Sequence, residues 1–194
     1  MHGAKMNLCH SSYNDAVHMG EAMLHLPRMT TGAVPMDEGA MRKVVELLPY
    51  GGCPLPGVAT AGQPDASAWG ALARSGFKSV VDLRAPNEPR GHDEAGEIAR
   101  AGLRYLALPV DHGSLGDRQF DALRDFLGDP LNRPVLVHCQ SANRVGALML
   151  PYLVLDEHLP IEEAQRRAVE IGMRSPEYAA LALDYVNRHE RTGS

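Results

Sequence analysis

A chain of 194 residues, 44% of them hydrophobic, is long enough for one domain with a substantial core and needs no disulfide staple. Its formal net charge of -5 offers no broad basic surface, which argues against nucleic acid as a partner; no apolar run approaches the roughly 18 residues of a membrane helix. Cys9, Cys53 and Cys139 form no CxxC pair and no metal-type spacing with the histidines, so a reducing cytoplasm is the expected home, with neither a metal nor another cofactor.

Residues 1–39 sustain neither helical nor strand periodicity and are expected to form a poorly ordered arm. His10, His18 and His25 fall near Cys9 and Asp15 there, in a spacing that matches no ligand pattern. The folded domain is expected to fill residues 40–194. It opens with a helical pattern, MRKVVELL (41–48), followed by YGGCPLPG (50–57), which reads as turns. Apolar strand-like runs then alternate with helical patterns. VATAG (58–62) precedes DASAWGALARSG (65–76), and KSVVDLR (78–84) precedes HDEAGEIARAG (92–102). LRYLALPV (103–110) precedes DRQFDALRDFLG (117–128), and PVLVHC (134–139) precedes RVGALMLPYLVLDE (144–157). Two amphipathic helices, 160–172 and 175–189, close the chain, each with Pro near its first turn and acidic residues after it. This alternation predicts an α/β domain: a central, mostly parallel sheet flanked by helices on both faces. In such a sheet, ligands bind beyond the C-terminal ends of the strands, where loops lead into helices.

The stretch PVLVHCQSANRVG (134–146) carries the most chemistry. It places Cys139 at the C-terminal edge of a buried strand and delivers the chain through a short polar loop into a helix near Arg144. Unpaired amides at a helix start point into such a loop and make its centre an anion site. Helix terminus and guanidinium together favour thiolate over thiol at Cys139. Arg144 supplies a fork of donors suited to phosphate, sulfate or carboxylate. A buried cysteine can be a small core hydrophobe and an arginine a surface residue. The order strand, His-Cys, polar loop, Arg, helix is the one an anion-binding nucleophile requires.

VLVHC followed by a loop and Arg resembles the signature of the cysteine-dependent tyrosine and dual-specificity phosphatases. TAGQP (60–64), GFKSVVDLRAPNE (76–88), GLRYLALPVD (102–111) and VHCQSANRVGA (138–147) together resemble the bacterial beta-lactamase-hydrolase-like phosphatase family. The resemblance covers about residues 57–175. It implies a phosphatase-like fold of the dual-specificity type and a phosphorylated protein or small molecule as substrate, with its phosphate, or a sulfate, held in the loop. In that setting Cys139 is the nucleophile, Arg144 the phosphate clamp, and His138, Gln140, Ser141, Ala142 and Asn143 the loop around the anion. Three departures stand out. Four residues separate Cys139 from Arg144 where the phosphatase signature has five, a spacing also found in rhodanese-type sulfurtransferases. Val145 stands where phosphatases usually carry a hydroxyl that helps the thiol leave. Ala142 stands where relatives commonly have Gly, and Asn143 is the residue better suited to a left-handed conformation.

Phosphoryl transfer also calls for an acid from a facing loop. Asp111 follows the strand YLALPV in the loop VDHGSLG and is the candidate, as chain order in dual-specificity phosphatases implies; Asp117 is the better helix cap. His112 is the second choice of donor. His138 is expected to order the loop. Gln63 and Arg84, both beyond strand ends, are candidates to contact substrate, although a turn role for Gln63 and a structural ion pair between Asp82 and Arg84 compete with that. Three functions remain open at this point: a cysteine-dependent phosphatase acting through a phosphocysteine, a sulfurtransferase carrying a Cys139 persulfide, and a catalytically weak phosphate-binding module.

Overall fold

The structure, a computed structural model, describes residues 37–111 and 113–192. The first helix, α1 (Glu38–Val45), begins where the Asp37 carboxylate accepts the amide of Ala40, and it buries Met41 and Val45. The boundary expected at residue 40 therefore falls inside a helix, and the arm expected over 1–39 otherwise lies outside the described residues.

Five strands follow: β1 (Gly52–Leu55), β2 (Val58–Ala61), β3 (Ser79–Asp82), β4 (Arg104–Ala107) and β5 (Val135–His138). They form one sheet in the order β1-β2-β5-β3-β4, in which β2, β5, β3 and β4 run parallel and β1 pairs antiparallel to β2 at the edge. The mostly parallel α/β sheet expected from the sequence is thus present. The addition is β1, which lies in the stretch expected to be turns. Pro54 removes one backbone donor, which only an edge strand or a bulge tolerates, and the pairing indeed shifts register between Gly52 and Leu55.

Helices α2 (Ala68–Arg74) and α3 (Glu94–Arg100) follow β2 and β3, and α4 (Asp117–Gly128) follows β4. After β5 come α5 (Asn143–Leu155), α6 (Ile161–Ile171) and α7 (Pro176–Thr192). Period-two alternation on the strands divides the core between two helical layers. Val58, Val81, Val135 and Val137 pack with buried residues of α4 to α7, whereas Ala59, Ala61, Val80 and Leu136 pack with those of α1 to α3. Strand β5 lies between β2 and β3 and is buried throughout, so its C-terminal end opens at the middle of the sheet with parallel neighbours on both sides. Among the described residues no helix is long and apolar enough to cross a membrane.

Candidate active site

Beyond β5 the chain passes through Cys139 and the loop Gln140–Ala142 into α5. Gln63 N–H donates to Gln140 O at 3.2 Å, which ties the loop to the end of β2. The sharp turn falls on Ala142, at φ 60°, and not on Asn143, the residue expected to take it. A left-handed alanine costs roughly 1–2 kcal/mol. Its Cβ is accommodated because Gly172, at φ 137°, stands opposite: a Cβ on Gly172 would come within 2.9 Å of that of Ala142. Asn143 serves the loop differently. Its Oδ1 accepts the amides of Arg174 at 2.7 Å and Ser175 at 3.1 Å, and so locks the α6–α7 connection to the start of α5. The first intrahelical bond of α5 runs from Gly146 N–H to Ala142 O at 2.9 Å, which leaves the amides of Asn143, Arg144 and Val145 ahead of it; Ala142 supplies no side-chain cap.

Cys139, Arg144 and Asp111 line one cavity of about 450 Å³, together with Glu88, Ser141, Asn143 and Tyr178. Of the residues expected at the site, Cys139, Ser141, Asn143, Arg144 and Asp111 are the ones the fold gathers around this space. Gln140, which is exposed, and Ala142, which is fully buried, do not line it. His112 lies outside the described residues.

Arg144 is held by acceptors on two elements. Its Nη1 donates to Val110 O at 2.9 Å, to Leu83 O at 3.3 Å and to Glu88 Oε1 at 2.5 Å, while Nη2 donates to Glu88 Oε2 at 2.8 Å. These bonds occupy Nη1 and half of Nη2, and the guanidinium also interacts with the Cys139 side chain. The hydrogen bonds to Arg144 pull the Glu88 carboxyl down to about 2, against some desolvation, so both partners are charged at neutral pH. Glu88 is a cavity residue that reading the sequence missed. Its signal was faint: an acid in the loop after a strand that neighbours β5, which is where a parallel sheet collects ligand-binding residues.

Arg174 was also missed. Its Nη1 donates to Ser141 O at 3.1 Å and to Gly172 O at 3.0 Å, and its Nη2 donates to Ser141 Oγ, so a second guanidinium braces the loop from outside.

His138, Gln63 and Arg84 do not line this cavity; His138 was expected to order the loop, and Gln63 and Arg84 were candidates to contact substrate. They form a buried polar layer behind it. His138 is fully buried, with Nε2 3.4 Å from Glu94 Oε1 and its ring 5.8 Å from that of Trp69. Gln63 Nε2 donates to Glu94 Oε2, and Gln63 Oε1 accepts from Arg84 Nη1. Burial opposes ionisation of Glu94, but contact with His138 and the Gln63 bond outweigh it and hold the carboxyl below its usual range. The ion pair expected between Asp82 and Arg84 is replaced by one between Asp82 and Arg90 at 2.6 Å; Arg84 reaches Asp82 only through its backbone N–H, at 2.8 Å. Asp82, Glu94 and His138 each bring one metal-type ligand atom within 4.8 Å of the others. Asp82 Oδ2, however, already accepts from Arg90 and from the Tyr105 hydroxyl at 2.9 Å, so a guanidinium balances its charge.

Relatives extend the picture. Two curated relatives are beta-lactamase hydrolase-like proteins. That of Xylella fastidiosa (strain Temecula1 / ATCC 700964) is 33% identical over 114 residues, 56% of this chain and 26% of that protein. That of Agrobacterium fabrum (strain C58 / ATCC 33970) is 27% identical over 100 residues, 50% of this chain and 23% of that protein. The match thus spans only about a quarter of those relatives, 26% for the first. Among solved structures, a DUF442 protein of Shewanella putrefaciens CN-32 superposes with a TM-score of 0.65 at 19% identity, covering 75% of this chain and 97% of that one. Tk-PTP in its active form gives 0.63 at 20% identity, covering 72% and 98%. The catalytic core of the S. cerevisiae PP-IP phosphatase SIW14, solved with citrate, gives 0.59 at 15% identity, covering 76% and 94%. At these identities the superpositions establish the shared fold. The family model described as a DSP-PTPase phosphatase fused to NAD+ kinase matches residues 57–177, a span that contains every residue of the cavity except Tyr178, and the chain belongs to that family.

Proposed function

We propose that the chain hydrolyses phosphomonoesters through Cys139. The observation that carries this reading is the convergence of a thiol, an arginine and a carboxylate on one 450 Å³ cavity at the C-terminal end of the central strand. Cys139 Sγ attacks phosphorus, forming an S–P bond as the P–O bond to the leaving group breaks. Asp111 delivers a proton to the departing oxygen. The Arg144 donors not bound to Glu88 or the loop carbonyls, with the first amides of α5, take the phosphoryl oxygens, whose charge grows in the transition state. Water then attacks the phosphocysteine, with Asp111 as base, and releases phosphate and thiolate. A phosphotyrosine side chain or a small phosphorylated ligand fits this chemistry. The family supports phosphoryl chemistry, and citrate in the SIW14 core supports an anion-binding loop in that protein.

One feature favours a second reading. Four residues between Cys139 and Arg144 also suit a persulfide carrier. Turnover of p-nitrophenyl phosphate, measured beside thiocyanate formation from thiosulfate and cyanide, separates the two. In the phosphatase, Cys139→Ser abolishes phosphate release and Asp111→Asn lowers kcat by about 10²–10⁴-fold, the usual contribution of a positioned acid. Thiocyanate formation that needs Cys139 but ignores Asp111 would establish the sulfurtransferase. Phosphate binding with no turnover of either substrate would leave a binding module.

A further inference from the structure

The geometry points to Arg90 as a positioning residue for anion binding, acting through the loop 84–90 and Glu88 on Arg144; this rests on the anion-binding reading of the Cys139 cavity. The observation is an arginine whose five N–H donors are all committed. Nε donates to Asp82 Oδ2 at 3.1 Å; Nη2 donates to the same oxygen at 2.6 Å and to Arg84 O at 3.2 Å; Nη1 donates to Ala85 O at 3.2 Å and to Glu88 O at 3.1 Å. Three carbonyls of one loop thus converge on a single guanidinium, which is anchored in turn to a fully buried carboxylate at the end of β3. The Asp82 anchor is itself fixed, by the Tyr105 hydroxyl at 2.9 Å and the Arg84 amide at 2.8 Å.

What this staple presents is Glu88. With its own backbone carbonyl pinned to Arg90, Glu88 directs its carboxylate into the loop and the cavity. Oε1 accepts the Ala85 amide at 2.7 Å and Arg144 Nη1 at 2.5 Å, and Oε2 accepts Arg144 Nη2 at 2.8 Å. The fork of Arg144 therefore takes its plane from a carboxylate that Arg90 holds through its backbone carbonyl and that Arg84 Nε also contacts, at Oε2, at 3.4 Å. Arg90 does not share the Cys139 cavity; it lines a separate one of about 330 Å³ with Arg84, His92 and Tyr105. Its effect on anion binding must accordingly be indirect.

Lysine at 90 isolates the effect. An ammonium keeps a positive charge beside Asp82, so the fold survives, but its three donors radiate from one point and cannot span Asp82 and three carbonyls. The experiment measures inorganic phosphate affinity by calorimetry, p-nitrophenyl phosphate kcat and KM, and Tm, for the full chain as wild type, Arg90→Lys, Glu88→Gln and the double variant. The expected result is a phosphate Kd roughly tenfold weaker in Arg90→Lys, since small misplacements of a binding group have effects of that order. The double variant should bind no worse than Glu88→Gln alone, because both changes break one chain of contacts. An unchanged Kd in Arg90→Lys overturns the proposal, whatever happens to Tm, and so do losses that multiply in the double variant. A wild type that binds phosphate without turnover would refute the phosphatase reading and leave the Kd comparison to decide on Arg90. A wild type that binds no phosphate overturns both.

Discussion

Ala142 and Gly172 show how a single residue position shapes the loop after Cys139. A non-glycine residue holds the left-handed turn before α5, and the space for its methyl group exists because the residue facing it, after α6, has no side chain. Gly172 is doubly constrained: φ 137° disfavours any L side chain, and a Cβ there would also meet Ala142 C and O at 3.2 Å. Gly172→Ala should destabilise the fold by about 1–3 kcal/mol through strain and overlap. It should also raise KM for p-nitrophenyl phosphate, because the displaced atoms belong to the loop proposed to hold the anion. Ala142→Gly in the same background removes the Cβ overlap but not the backbone strain, so it should restore part of the lost Tm and most of the KM. Denaturation and steady-state kinetics on the two variants check this, and a Gly172→Ala protein with unchanged KM would disconnect the pair from the site.

At the scale of elements, α5 and α6 pack closely enough to act as one support for the loop. Gly146 sits at their contact, where an added Cβ would lie 2.4 Å from Ala168 O and 2.6 Å from Met173 N. Gly146→Ala should therefore force the C-terminal end of α6 outward, at a cost of about 1–3 kcal/mol, as overpacking does. Arg174 and Ser175 follow at once, so the amide bonds they make to Asn143 should lengthen together, visible as faster hydrogen exchange of those two amides. Unchanged exchange there would mean the helix pair does not carry the loop. The same elements explain what was legible in the sequence. Helices α2 to α7 and strands β2 to β5 announce themselves by periodicity, and their order places Cys139 and Asp111 beyond strands and Arg144 at the start of a helix. Strand β1 is masked by Gly52 and Pro54, whose composition signals a turn while its pairing comes entirely from β2. Glu88 and Arg90 were illegible for a related reason. Their partners Arg144 and Asp82 lie 56 and 8 positions away, and nothing local distinguishes a charged loop residue that closes a site from one that faces water.

For the molecule as a whole, the polar layer over the strand ends joins parts that the apolar core keeps apart. The sheet separates a core built with α1 to α3 from one built with α4 to α7. Glu94 on α3 meets His138 at the end of β5, and Glu88 in the loop after β3 grips Arg144 on α5, so one carboxylate ties the first helical layer to the central strand and the other ties the second layer to the loop after β3. That arrangement makes stability depend on pH in a defined direction. The Glu88 carboxyl falls from 4.5 to about 2 on folding, chiefly through its hydrogen bonds to Arg144. A group whose folded value is depressed stabilises the native state fully above its unfolded value, and the contribution disappears as pH falls through the window between the two. Wild type should therefore melt above Glu88→Gln by a constant margin from neutral pH down to about 4.5, with the margin closing as pH approaches 2. Glu94, also depressed, titrates in both proteins and largely cancels from the difference. Thermal melts of the two proteins in a series of buffers across that window provide the measurement. A margin that closes toward the acid end identifies the Glu88–Arg144 charge pair as a tie between β3 and α5, whereas a margin independent of pH would assign the loss in Glu88→Gln to packing and not to charge.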